Sequence, residues 1–185
     1  MIILSISGSL RATSSNASLL QAARVLAPAD MRIVPYTGLG QLPHFNPDLE
    51  DDLPMLAADL RAEVEQADGL LISCPEYARG IPGSFKNALD WLVGSTTFPG
   101  KPVALFNASP RASAAQEALR LVLTTMSAHL VEEASLTVPL LARGLDGPAI
   151  AADPQLTSQI TAALRAFAGA ITQRRSDAGQ GSGVT

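Results

Sequence analysis

The sequence predicts one α/β domain in which a five-stranded parallel sheet lies between two layers of helices. Short apolar runs alternate regularly with longer Ala/Leu segments of helical spacing, which is the pattern of repeated strand–helix units. Hydrophobic residues make up 47% of the chain but aromatic ones only 4%, a palette suited to helices packed on a buried sheet. The length, 185 residues, suits a single core that needs neither disulfides nor a structural metal.

The elements follow in order. Residues 1–7 form an apolar run that leads into Gly8-Ser9, and an Ala/Leu helix follows over 16–26, so the chain opens strand, polar loop, helix. A second strand at 31–35 leads into a Gly/Pro-punctuated loop. Helical spacing returns over 51–66, with carboxylates expected in the first turn, where the dipole favours them. Residues 69–74 are apolar enough for a central strand. A helix at 81–93, a strand at 102–107, a helix at 112–128, a strand at 130–138 and a helix at 154–172 complete the expected five strands and five helices. Residues 174–185 are Gly/Ser-rich and unpatterned, so the domain is expected over 1–174, with a mobile tail at 175–185.

Five such units with right-handed crossovers give a flavodoxin-like three-layer sandwich of strand order 2-1-3-4-5. Ligands of this architecture belong beyond the carboxyl ends of the strands, at the switch between the first and third. The two loops that leave those strands are therefore the places to search.

The first loop, residues 8–16, runs into a helix whose unpaired N–H groups and positive dipole end attract an anion. It adds hydroxyls from Ser9, Thr13, Ser14 and Ser15, the amide of Asn16 and the guanidinium of Arg11, an inventory suited to a phosphomonoester. There is no G-x-x-x-x-G-K-[ST], and the single glycine falls short of the three of the dinucleotide fingerprint. The alternative is that Ser14, Ser15 or Asn16 merely caps the helix. The second loop follows Cys74 and is stiffened by Pro and Gly. Its backbone amides suit the edge of a flat heteroaromatic ring, with Tyr77 closing one side. Against this stands a plain strand-to-helix turn shaped by Pro82 and Gly83, with Trp91 in the core, the setting preferred for Trp91. Asp90 is either a helix-surface carboxylate or an anchor behind the ring.

Other chemistry is disfavoured. The formal net charge of −4 and the lack of a Lys/Arg-rich run argue against nucleic acid. The apolar opening is too short for a secretory signal, and no stretch approaches the roughly 20 apolar residues that span a bilayer, so a cytoplasmic protein without a membrane partner is expected. Cys74, the single cysteine, is expected to be a small buried hydrophobe rather than a reactive thiol. His44 and His129, expected on a loop surface and at a helix end, complete neither a metal site nor a nucleophile–base pair.

Three stretches, GSLRATSSN at 8–16, LPHFNPDLE at 42–50 and PEYARGIPGSFKNALDWL at 75–92, resemble the NAD(P)H-dependent FMN reductases, a flavodoxin-like family that includes bacterial quinone and chromate reductases. The resemblance implies an FMN phosphate on Ser9, Arg11, Ser14, Ser15 and Asn16. It implies an isoalloxazine edge on Pro75, Glu76, Tyr77, Ala78, Arg79 and Gly80, with Ser109 beside it, and no catalytic residue of the protein's own. It also implies a homodimer or homotetramer whose interface borders the flavin. The implied chemistry is ping-pong: NADPH or NADH reduces FMN at N5, and a small-molecule acceptor such as a quinone reoxidises it. The rivals are an electron carrier or flavin-binding regulator without NAD(P)H turnover, and a descendant that has lost flavin. Two departures matter: Ala78 stands where the family has Asn, and residues 109–116 resemble the family's Ser-Pro-Gly loop but lack its Gly-Gly. Arg111 could offset the second departure by placing a cation near the ring or the 2′-phosphate of NADPH, although an exposed loop arginine is the commoner fate.

Overall fold

Strand residues of this chain point alternately into two hydrophobic clusters, and that alternation builds the three layers. The computed structural model describes residues 1–141 and 143–181. Ile3, Leu71, Ala104 and Phe106 enter one cluster, while Leu4, Ile6, Leu70, Ile72, Val103 and Leu105 enter the other, as the period of two requires. The strands are β1 (Ile2–Ser7), β2 (Arg32–Pro35), β3 (Gly69–Ser73) and β4 (Pro102–Asn107), followed by the dipeptides β5 (His129–Leu130) and β6 (Leu136–Thr137). All pairings are parallel and the order is β2-β1-β3-β4-β5, with β6 also on β4. The flavodoxin-like order 2-1-3-4-5 is thus realised.

One face carries α1 (Ser15–Val25), α5 (Gly147–Ala152) and α6 (Pro154–Gly181), through residues such as Leu19, Leu20, Ile150, Leu164 and Phe167. The other carries α2 (Met55–Gln66), α3 (Gly83–Val93) and α4 (Ser113–Thr125), through Leu60, Phe85, Trp91, Leu119 and Leu123. None of the described helices is long and apolar enough to cross a membrane.

Four differences from the sequence expectation have local causes. The strand expected at 130–138 is split: five residues, 131–135, stand opposite only Ala104 and Leu105 of β4, and Glu132–Ala134 bulge out as a 3-10 turn. The like charges of Glu132 and Glu133 suit that turn better than a ladder. Ser135 Oγ takes the place of the missing backbone acceptor, receiving the Leu105 N–H at 3.0 Å. α2 starts at Met55 rather than 51, because Pro54 disfavours helical geometry in Leu53, so Asp51 and Asp52 precede the helix instead of filling its first turn. α5 was not expected. Asp146 caps it by accepting the Ala149 N–H at 2.9 Å, and Pro148 lies in its first turn.

The last helix runs on to Gly181, through the boundary expected at 174, so the stretch after Thr172 is not structureless. Arg175 pairs with Asp68, whose second oxygen accepts the Ile2 N–H at 2.7 Å, tying this end of the helix to the start of the sheet. Residues 182–185 of the expected mobile tail lie outside the described residues.

Candidate functional site

The two searched loops leave the sheet side by side. The Gly8 N–H donates to the Ser73 carbonyl at 2.8 Å, and a Cβ on Gly8 would stand 3.1 Å from Cys74 Sγ and 3.3 Å from Cys74 Cα. A residue without a side chain is what allows the loops to meet there.

α1 starts at the far side of the first loop. Ser14 occupies its N-cap in extended geometry (φ −123°, ψ 126°), and its carbonyl accepts the Ser18 N–H at 2.8 Å, yet its hydroxyl makes no capping bond. The helix therefore has the backbone of a capped start without the side-chain cap, and its first N–H groups are left for another acceptor. Asn16 is no cap either: its Oδ1 accepts the Ser73 hydroxyl at 2.9 Å in a buried bond, pinning α1 to β3. Its amide donor end is uncommitted among the described residues.

A cleft of about 760 Å³ opens over this helix start. Ser9, Arg11, Ser14, Ser15 and Asn16 form one wall, and Pro75, Glu76 and Tyr77 a second. Asn107, Ser109 and Arg111, from the loop after β4, form a third. The structure thus brings together nine of the twelve expected cofactor residues, Ser109 among them. Tyr77 is 47% exposed, and its hydroxyl lies 3.3 Å from Ser9 Oγ, which also accepts the Arg11 N–H at 3.3 Å.

Ala78, Arg79 and Gly80 are not on the cleft wall. Tyr77 and Gly80 exchange both backbone hydrogen bonds at 3.1 Å, and Ala78 and Arg79 have φ of +50° and +65°. This is a type I′ turn, which needs left-handed geometry at both central residues. It supplies a reason for Asn at position 78 that sequence alone did not: Asn tolerates left-handed backbone, and Ala does so at a cost.

Glu76 borders the cleft, and its Oε2 accepts the Ala115 N–H of α4 at 3.1 Å. Arg111 is exposed on the rim, with its backbone N–H held by Ser109 Oγ at 3.2 Å.

A fourth wall escaped the sequence. Leu141, Gly144, Leu145 and Asp146 close the cleft from the segment after β6, and Ser18 and Gln21 join them from α1. Only the Asp-Gly-Pro cap of α5 hinted at order there. Gly147 packs against Gln21 so closely that a Cβ would lie 2.6 Å from its side chain, which fixes this wall against α1.

Behind the second loop, Trp91 is fully buried, as expected. Its indole N–H and the Asn87 amide both donate to the Pro43 carbonyl, at 2.8 and 2.9 Å, while Asn87 Oδ1 accepts the Phe45 N–H at 2.8 Å. Phe45 meets the Trp91 ring edge-on, centroids 5.1 Å apart. The resemblance stretch at 42–50 thus packs on α3 rather than on the cleft. Asp90 pairs with Lys86 on the same helix. Cys74 is buried, and burial pushes its thiol up to about 12. His44 is exposed on its loop, and His129 opens β5 instead of ending a helix. Among the described residues no three His, Cys, Asp or Glu side chains gather as metal ligands.

The family model described as NADPH-dependent FMN reductase matches residues 1–141, which include the helix start, the second loop and the loop after β4. The chain belongs to the NADPH-dependent FMN reductase family. That family consists of oxidoreductases built around FMN and a nicotinamide donor. An NAD(P)H-dependent FMN reductase of Pseudomonas aeruginosa is 31% identical over 89% of this chain and 92% of its own length. A 2-hydroxy-1,4-benzoquinone reductase of a Burkholderia species is 41% identical over 55% of this chain. The matches to the first curated relatives span only 57% to 59% of those proteins. The solved structure of FerB, a flavoenzyme NAD(P)H:(acceptor) oxidoreductase from Paracoccus denitrificans, superposes with a TM-score of 0.75 at 28% identity, covering 93% of this chain and 97% of its own. The Gly144–Asp146 wall lies beyond the stretch that the family model matches.

Proposed function

We propose that this chain binds FMN with its phosphate at the start of α1 and its ring between Tyr77 and the loop after β4, and that it transfers electrons from NADPH or NADH to a small quinone-class acceptor. The observation that carries the proposal is the uncapped N-terminus of α1, which opens into the cleft amid the side chains of Ser9, Arg11, Ser14 and Ser15. The other two cleft-side helices have their first turns occupied by carboxylates, α4 by Glu76 and α5 by Asp146, so α1 alone of the three is left to an external anion. The cleft volume lies within the roughly 300–1,000 Å³ of cofactor sites.

Arg11 neutralises the dianion, the hydroxyls of Ser9, Ser14 and Ser15 orient its oxygens, and Asn16 sets the helix start at a fixed distance from β3. Tyr77 walls the ring and excludes water from one face. FMN held there would supply two-electron transfer from NAD(P)H to an acceptor. Hydride transfer through the flavin needs no side chain as acid or base. The exposed Leu10, Tyr77 and Leu141 at or beside the cleft mouth support a homodimer or homotetramer whose interface borders the flavin. A nicotinamide donor suits a cytoplasmic setting.

Titration of the apoprotein with FMN and with riboflavin tests the phosphate site. FMN should bind at least about a hundredfold tighter, as two charge-assisted hydrogen bonds would give. Equal affinities would refute it. Stopped-flow mixing of the FMN form with NADPH tests the reductase step. Rapid bleaching of the oxidised flavin supports it, and a flavin that stays oxidised leaves a carrier or regulator instead.

A further inference from the structure

Ala112 stands at the N-cap of α4 and has no side chain that can accept a hydrogen bond. The first-turn donor Ala115 N–H is satisfied from outside the helix, by Glu76 Oε2 at 3.1 Å across 39 residues of sequence. One residue on, Gln116 Nε2 donates to the Cys74 carbonyl at 3.3 Å. Both partners belong to the segment that carries β3 into the Tyr77–Gly80 turn. The start of α4 is thus bonded twice to that segment.

We infer that Glu76 is a positioning residue: its carboxylate docks the 75–80 turn onto the first turn of α4 and thereby sets where Tyr77 faces the ring. The inference rests on the FMN reading of the cleft. Three features single out Glu76 among the cleft residues. Its carboxylate is committed to a first-turn backbone donor of a helix whose own N-cap residue, Ala112, has no side-chain acceptor. The turn it holds contains two non-glycine residues in left-handed geometry, a strained segment that stays in place only if its surroundings hold it. Among the described residues the Tyr77 side chain is hydrogen-bonded on the opposite flank by Ser9, so Glu76, together with the Gln116–Cys74 bond, supplies the support from the α4 side. The loops after β3 and β4 consequently move as one wall rather than as two.

The test compares E76A with E76Q, whose amide oxygen can still accept the Ala115 N–H. Amide exchange is read at Tyr77 and Gly80 in the apoprotein. The visible flavin band and the KM for 1,4-benzoquinone are read in the FMN form. E76A should exchange about tenfold faster at both amides, shift the flavin band and raise the quinone KM several-fold, whereas E76Q should stay near wild type. Should E76A fail to fold, E76D, which withdraws the carboxylate by one methylene, replaces it. A lower Tm with unchanged exchange at Tyr77 and Gly80 would reduce Glu76 to a helix cap and overturn the inference. So would a wild-type flavin band and KM in E76A, or an E76Q that behaves like E76A, since charge rather than docking would then matter. If the wild type binds no FMN, the FMN reading falls, and the exchange comparison still judges the docking.

Discussion

Ala78 is where replacing one residue should improve the protein. Both central residues of the Tyr77–Gly80 turn lie in the left-handed region, at +50° and +65°, and the Ala78 side chain is exposed and off the cleft wall, so packing and ligand contacts do not confuse the comparison. Left-handed geometry costs an L-residue about 1–2 kcal/mol, and Asn is several-fold enriched there, which corresponds to about 1 kcal/mol. Ala78→Asn should therefore stabilise the fold by about 0.5–1 kcal/mol. With an unfolding entropy of about 2.1 cal/mol/K per residue, a chain of 185 residues gains about 1–3 °C in Tm. Ala78→Gly relieves the same strain but loses about 0.4–1 kcal/mol to the freer unfolded chain, so it should fall near wild type. Ala78→Val, β-branched at positive φ, should be the least stable. Urea unfolding of the four proteins at constant m-value reads the order Asn, Gly or Ala, then Val. An Asn variant no better than Ala, together with a tolerated Val, would refute the left-handed turn.

Arg11→Ala should weaken FMN binding about 10- to 100-fold while leaving riboflavin binding nearly unchanged, as calorimetric titration would show. Cys74, its thiol pushed up to about 12 by burial, should resist iodoacetamide at pH 8 in the folded protein and react promptly in 8 M urea; fast native labelling would contradict its burial. Hydrogen bonds from the Leu156 and Gln155 N–H groups and the pairing with Arg143 hold the Asp153 carboxyl below the usual carboxylate range. Its contribution is accordingly full above the unfolded pKa and lost as pH falls through the lower folded value, so Asp153→Asn should flatten the acid limb of urea midpoints measured from pH 6 to pH 2.5. Trp91→Phe, which deletes one of the two donors to the Pro43 carbonyl, should destabilise by about 1–2 kcal/mol in urea unfolding, and a neutral result would remove that bond from the account.

Sequence periodicity reached the sheet order because each strand is a short apolar run and each crossover a periodic helix. It reached the first two cleft walls because their chemistry is local to residues 9–16 and 75–77. It failed where the cause lies far along the chain. Nothing around Pro43 announces that two α3 side chains seek its carbonyl, and nothing near Glu76 announces a donor at Ala115. The wall at 144–146 has no period of its own, since packing of Gly147 on Gln21 sets its place. Ala78 was visible as a departure but not as a turn residue, because left-handed φ shows only in coordinates. The two glutamates at 132 and 133 were the warning that a nine-residue strand would break.

That break, and its counterpart at the other border of the sheet, bears on how copies of this protein can meet. β5 and β6 are two residues each, and β2 has four, ending in Pro35, which lacks an N–H. Neither margin offers the long row of free amides that lets one chain zip onto the next. Self-association by growing the sheet, the route toward fibrils, is disfavoured at both borders of the described sheet.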